Sequence, residues 1–258
     1  MHKSSRRNVV AIIQVRMGST RLPGKALKEI AGTTLLDLVY SRVSRCQSIN
    51  SVILATTLLK EDDVLEHWGL TTGVQVFRGS RDDVLSRFLG AAEVAGADVV
   101  VRITADDPLK DPFLIDQLVT QLLNNPHLQY ASNTMRPSFP EGMDAEVFTI
   151  ESLKRANTEA VLMSDREHVT PFLKRVLKKK DLFELTSVND FSNLRWTVDY
   201  DSDLQFMRAV FNHFSPNRNF GWMEVIKLVE NNDRIRTINE NIAERNEGYL
   251  ASLEKDVD

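Results

Sequence analysis

Strand-patterned and helix-patterned segments alternate along the first 125 residues of this 258-residue chain, and that alternation constrains its fold most. Residues 9–15 form an apolar run of strand length, read as buried on both faces. Residues 33–46 follow as a helix with apolar positions 35, 36, 39, 43 and 46. Then come a strand over 51–56, a helix over 61–69 and a short strand over 74–78. Residues 82–95 read as a helix with Val84, Leu85, Phe88, Leu89 and Ala92 on one face. A buried strand spans 98–104. Asp111 then caps a helix with Pro112 at its first position and Phe113, Leu114, Leu118 and Leu122 inward. This order predicts an α/β fold with a mostly parallel central sheet and helices on both faces.

After residue 125 the rhythm changes. Short strands at 129–132, 145–149 and 182–188 interleave with a helix over 164–180. We read residues 126–190 as a small, partly antiparallel insertion within one domain spanning 1–258. Residues 195–198 are expected to return to the main sheet, and helices near 201–214 and 221–231 to close the fold. Lys178, Lys179 and Lys180 read as a solvated helix end that complements the helix dipole.

The composition is that of a globular chain, 42% hydrophobic and 26% charged. A net charge of −4 speaks against a general nucleic-acid binder. Cys46 is the single cysteine, so no disulfide forms within the chain, and its place on an apolar helix face predicts a buried thiol. No apolar run reaches membrane-spanning length, and residues 1–7 lack the apolar core of a signal peptide. The expectation is a cytoplasmic protein without nucleic-acid or membrane partners.

Against that acidic background, the loop after the first strand is basic. It carries Arg16, Arg21 and Lys25 among Gly18, Ser19, Thr20 and Gly24. Small residues let the backbone approach a ligand, and the cations answer several negative charges, as a polyphosphate requires. The loop is not a Walker A loop, because five residues separate Gly18 from Gly24 and Ala26 stands where Ser or Thr would hold magnesium. Asp106 and Asp107 fall just past one strand, and Asp199 just past the expected strand 195–198. Ligands of open α/β sheets bind at that edge, and a few carboxylates facing phosphates suit Mg²⁺. Asp107 also reads as a turn former before Pro108, and Asp201 and Asp203 as helix caps. Thr56, Arg78 and Ser80 lie at the same edge, where Ser80 either caps the next helix or meets the nucleotide. Arg102, inside a buried strand, requires a partner: a carboxylate such as Asp106, or the ligand.

The run Arg16-Met17-Gly18-Ser19-Thr20-Arg21-Leu22-Pro23-Gly24-Lys25 resembles the opening signature of the cytidylyltransferases that activate acidic sugars. These include the acylneuraminate and ketodeoxyoctonate enzymes. Six further regions resemble the SpsF-like spore-coat polysaccharide branch of that family. They comprise Ala55-Thr56-Thr57, Phe77–Leu85 around Arg78-Gly79-Ser80, and Val101–Pro108. Later come Ser132-Asn133-Thr134 with Gly142–Phe148, then Arg166–Pro171 and Leu194–Asp199. The resemblance implies a Rossmann-like nucleotide-diphospho-sugar transferase fold and a CTP-dependent enzyme that releases pyrophosphate and forms a CMP-sugar for surface polysaccharide. It implies Mg²⁺ held by Asp106 and Asp199, with Arg16, Arg21 and Lys25 as catalytic cations. It implies nucleotide contacts at Gln14, Arg16, Gly18, Ser19, Lys25, Thr56, Arg78, Ser80, Arg102 and Asp106. Sugar contacts are expected at Asn133, Arg136, Asp144, Glu146, Glu167 and His168, with Arg166-Glu167-His168 alternatively a helix surface or dimer contact. The resemblance also implies a homodimer, for which Phe139, Met143, Phe148, Val161, Leu162 and Met163 offer apolar surface. Ala105 replaces the family's usual glycine. Two other readings remain: a glycosyltransferase of the related fold, which leaves the basic loop without a clear task, and a non-enzymatic nucleotide- or sugar-binding module.

Overall fold

A computed structural model describes residues 7–240, 242, 245–253 and 256; the amino-terminal residues 1–6 lie outside it. Strand β1 (Val9–Gln14) is an interior strand of a seven-stranded sheet, paired in parallel with β4 (Ser51–Thr57) and β6 (Val99–Thr104). Between β1 and β4 come a small hairpin, β2 (Glu29–Ile30) and β3 (Thr33–Thr34), and helix α1 (Leu35–Val43). The hairpin takes the first residues of the helix expected over 33–46. Thr34 is the cap: its hydroxyl accepts from Asp37 N–H while the Asp37 carboxylate accepts back from Thr34 N–H.

Helix α2 (Asp63–Thr72) leads to β5 (Gln75–Gly79), which pairs in parallel with β4, and α3 (Val84–Val94) leads to β6. Helix α4 (Pro112–Asn124) starts at the expected Asp111 cap, whose carboxylate accepts from Phe113 N–H and Leu114 N–H. Its inward face is Leu114, Ile115, Leu118, Val119 and Leu122; Phe113, expected inside, is 66% exposed.

Residues 130–184 complete the sheet. Strand β7 (Tyr130–Ser132) and β8 (Glu146–Thr149) pair antiparallel, β8 pairs antiparallel with β6, and β9 (Leu182–Glu184) runs parallel to β7 at the edge. The final order is β5-β4-β1-β6-β8-β7-β9. Helix α5 (Ile150–Glu159), which the sequence reading did not place, follows β8. The single helix expected over 164–180 is two, α6 (Met163–His168) and α7 (Pro171–Val176). The break falls at Val169, and Pro171, which has no N–H to donate, opens α7 at its first position, with Thr170 before it still helical in backbone. Val169 turns the corner at φ 73°, with Thr170 N–H donating to His168 O. The lysines at 178–180 consequently lie beyond α7.

Residues 195–198 do not rejoin the sheet. Both lanes beside β6 are filled, by β1 and β8. The segment instead runs past the carboxyl end of β6, where Val198 N–H donates to Asp106 O, and Arg195 forms an isolated bridge with Glu141. The chain closes with α8 (Asp201–Phe214), α9 (Trp222–Glu230), α10 (Asp233–Arg236) and α11 (Glu247–Leu253).

Three apolar clusters hold these layers. On one sheet face, α1, α2 and α4 pack on Ala11, Ile13, Val99 and Val101, with Cys46 in the same cluster. On the other, α3, α5 and α7 pack on Val10, Ile12, Val100 and Phe148. The third joins α8 and α9 to Leu35 and Leu38 of α1 and buries Trp196 and Val198. No helix among the described residues is long and apolar enough to cross a membrane.

Candidate active site

The carboxyl ends of the central strands open onto a cleft of about 410 Å³. Its walls are the end of β6, the segment that links β7 to β8, the α6–α7 corner, residues 195–199 and the start of α11.

At one end the basic loop meets the acidic segments. Gly24 takes a left-handed φ of 68° and delivers Lys25 into a short 3-10 turn. The Lys25 ammonium donates to Asp106 Oδ2 at 2.8 Å, Asp199 Oδ1 at 2.8 Å and Val198 O at 2.9 Å. Burial opposes the charge on Lys25, but the two carboxylates overcome it and raise its pKa. Burial likewise opposes ionisation of Asp106, yet Lys25 holds that carboxyl down to about 2. The other Asp199 oxygen accepts from Arg21 at 2.8 Å and Arg195 at 3.3 Å. Asp203 fixes this corner. It accepts from the N–H groups of Asp199 and Tyr200 at the start of α8 and also pairs with Arg195.

Asp107, read as a turn residue, is buried, with Thr104 Oγ1 donating to it at 2.6 Å and the Lys110 ammonium at 2.8 Å. Burial, with Asp106 and Asp144 nearby, pushes its carboxyl up to about 6 against the pull of Lys110.

At the other end stands Glu146, 3% exposed at its side chain. Its carboxylate accepts from Arg102 at 2.5 Å, Tyr130 Oη at 2.5 Å, Thr170 Oγ1 at 2.8 Å and Lys174 at 2.8 Å. Arg102's carboxylate partner is therefore Glu146, directly across the ladder, rather than Asp106. Arg102 and Lys174 thus share one carboxylate, and together carry one charge more than Glu146 neutralises. Lys174 was invisible to motif reasoning; only the turn of α7 after Pro171 brings it here.

The cleft brings together Arg21, Arg102, Asp106, Asp144, Glu146, His168 and Asp199 of the expected residues. The Asp144 carboxylate pairs with Arg245, and the His168 ring stands edge-on to Tyr249, 5.1 Å between centroids. Arg195, Arg245 and Tyr249 also line it without having been singled out.

Other expected residues sit outside the cleft walls. Gln14 ends β1 beside Thr104, and Thr56 is fully buried; Gln14 Oε1 and Thr56 Oγ1 have no hydrogen-bond partner among the described residues. Arg16 is exposed and makes no ion pair among the described residues. Gly18 passes so close to Glu61 that a β-carbon would lie 2.6 Å from its carboxylate. Ser19 Oγ accepts from Leu22 N–H. Arg78 is occupied by Thr57 O, Leu59 O, Asp63 and Glu66, and so braces the loop after β4. Ser80 Oγ accepts from Asp83 N–H, the capping alternative, and Ser80 O accepts from the buried Arg87 at 2.6 Å. Burial and nearby Arg16 pull Arg87 down to about 10. Asn133 is buried and clasps Met143 O and Ala145 N–H. Arg136 is exposed and reaches Glu184 at 3.7 Å, while Glu167 is half-buried on α6. Its neighbour Arg166 ties α6 to Asp83 of the α3 cap.

The open α/β sheet is the fold of nucleotide-diphospho-sugar transferases, and in this chain a cationic loop faces two aspartates at its carboxyl edge. A cytidylyltransferase family model matches residues 10–219. An uncharacterised protein of Methanocaldococcus jannaschii is 33% identical over 242 residues, covering 92% of this chain and 96% of that protein. The spore coat polysaccharide biosynthesis protein SpsF of Bacillus subtilis is 30% identical over 233 residues, covering 87% and 95%. A solved cytidylyltransferase from Leptospira borgpetersenii superposes with a TM-score of 0.86 at 32% identity, over 92% of this chain and 100% of that one. At 17% identity, a CMP:2-keto-3-deoxy-manno-octonic acid synthetase complexed with CTP shares the fold, with a TM-score of 0.60 over 80% and 99%. The chain belongs to the cytidylyltransferase family.

Proposed function

We propose that this protein transfers the cytidylyl group of CTP to a hydroxyl of an acidic sugar, releasing pyrophosphate and forming a CMP-sugar for surface polysaccharide. The observation that carries the reading is the convergence of Asp106 and Asp199 on one cationic point beside the basic loop. The sugar hydroxyl, giving up its proton to water, forms a bond to the α-phosphorus, the bond from that phosphorus to the bridging oxygen breaks, and pyrophosphate leaves. Arg16, Arg21 and Lys25 hold the triphosphate and its developing negative charge. Gln14 and Thr56, with unused buried oxygens at this edge, and the backbone around Gly18, Ser19 and Ser80 form the nucleotide wall.

The residues fit a hydrated Mg²⁺: the donors are hard carboxylate oxygens, and two of them already share one cation through Lys25. Asp106 and Asp199 would hold the metal, which polarises the α-phosphate and lowers the hydroxyl pKa. The surplus positive charge of Arg102 and Lys174 against Glu146 supports an acceptor bearing a carboxylate, its hydroxyl toward the aspartates. Asp144 and His168 on the same cleft suit the sugar hydroxyls. We also propose a homodimer with residues 126–190 at its interface.

Thermal melts with Mg²⁺ test the nucleotide: CTP should raise the melting midpoint more than ATP, GTP or UTP. Equal shifts by all four remove cytidine specificity, and a shift by a UDP-sugar without one by CTP points to a glycosyltransferase.

A further inference from the structure

Lys25 is placed in the way of the task assigned to it. An ammonium has three N–H donors, and all three of Lys25 are used, by Asp106, Asp199 and Val198 O. None is left for a phosphate, and the side chain is only 14% exposed. A dication on the same two carboxylates would face this ammonium across the oxygens that each must hold, where like charges repel strongly.

We propose that Lys25 is the resident counter-ion of the Asp106–Asp199 pair, displaced only when a metal-bound nucleotide arrives, so that metal and CTP enter as one unit. This rests on the transferase reading of the site. A bare divalent ion would have to expel an ammonium held by two carboxylates and leave it partly buried without an opposite charge. Asp199 would give little help, because Arg21 and Arg195 already neutralise its outer oxygen. A triphosphate changes the balance, since it brings oxygens that accept the freed ammonium. The move needs only rotations within the Lys25 side chain, whose backbone is fixed by Gly24 and the 3-10 turn. Metal affinity without nucleotide is thereby reduced, and nucleotide restores it, a reciprocal coupling of the two ligands.

Titration of Mn²⁺ into the full chain without nucleotide, with free Mn²⁺ read by electron paramagnetic resonance, tests this directly. Lys25→Met, neutral and of similar length, should bind Mn²⁺ at least about 10-fold more tightly than the wild type. The gain should vanish in the Lys25→Met, Asp106→Asn double variant. Equal affinity of wild type and Lys25→Met overturns the proposal. Should Lys25→Met fail to fold, the wild type decides alone: saturable micromolar Mn²⁺ binding without CTP overturns it, and binding that appears only with CTP, beyond the Mn²⁺ taken up by the same CTP without protein, supports it. The variant comparison contains no nucleotide, so a failure of CTP selectivity in the melts is read separately from a failure here.

Discussion

Glu146 shows how a single side chain can carry both the fold and the site. Burial works against its charge, and Lys174 and Arg102 overcome that cost and hold its carboxyl well below the usual glutamate range. A depressed acid contributes stability above its unfolded pKa and loses it as pH falls below that value. Glu146→Gln should therefore cost about 3 kcal/mol near neutral pH by stranding two partly buried cations. Between about pH 5 and about pH 3 it should lose less stability than the wild type. Denaturant unfolding at both pH values measures this, and parallel pH curves would show that Glu146 is not a charged anchor. The sequence made residue types legible in this region, but not their partners. Arg102 visibly required a counter-charge; that it is Glu146 follows only from the β6–β8 register.

Elements were legible where periodicity was strong. The parallel core, the Asp111 cap and the α3 face could be read because apolar spacing and turn chemistry agree. Helix α5 escaped notice because its sequence is largely polar, burying only Ile150, Ser152, Leu153 and Ala156. The strip at 195–198 has strand-like alternation, yet it packs Trp196 and Val198 into the third cluster instead of pairing in the sheet. Its position depends on Gly142, at φ 97°, where a β-carbon would lie 2.5 Å from the Trp196 carbonyl. Backbone atoms cannot yield as a side-chain tip can. Gly142→Ala should destabilise the protein by about 2 kcal/mol or more. It should also slow pyrophosphate release by moving Arg195 away from Asp199. An unchanged unfolding midpoint together with unchanged turnover would show that the strip shifts freely.

At the scale of the molecule, half of the six apolar residues offered by the sequence as dimer surface are core. Phe139, Met143 and Phe148 are buried, while Val161 is 86% and Met163 61% exposed. The expected self-association therefore narrows to the corner between α5 and α6. Sedimentation at micromolar concentration should show a dimer, and Val161→Asp with Met163→Asp should convert it to a monomer. A monomeric wild type removes the association. The overall layering was readable because the parallel strands β1, β4, β5 and β6 are each joined to the next by a crossover helix. The mixed half was less so, since short antiparallel strands give weak periodic signals.

The bridge from Lys25 to both Asp106 and Asp199 also has a consequence for biosynthesis. Its three contributors leave the ribosome far apart in time, the ammonium first and the second carboxylate last. A nascent chain can assemble β1, β4 and β6 once residue 104 is free, but it owns no complete carboxylate pair until residue 199 has emerged. The Asp106–Lys25–Asp199 bridge is therefore withheld from unfinished chains by the order in which the polypeptide is made.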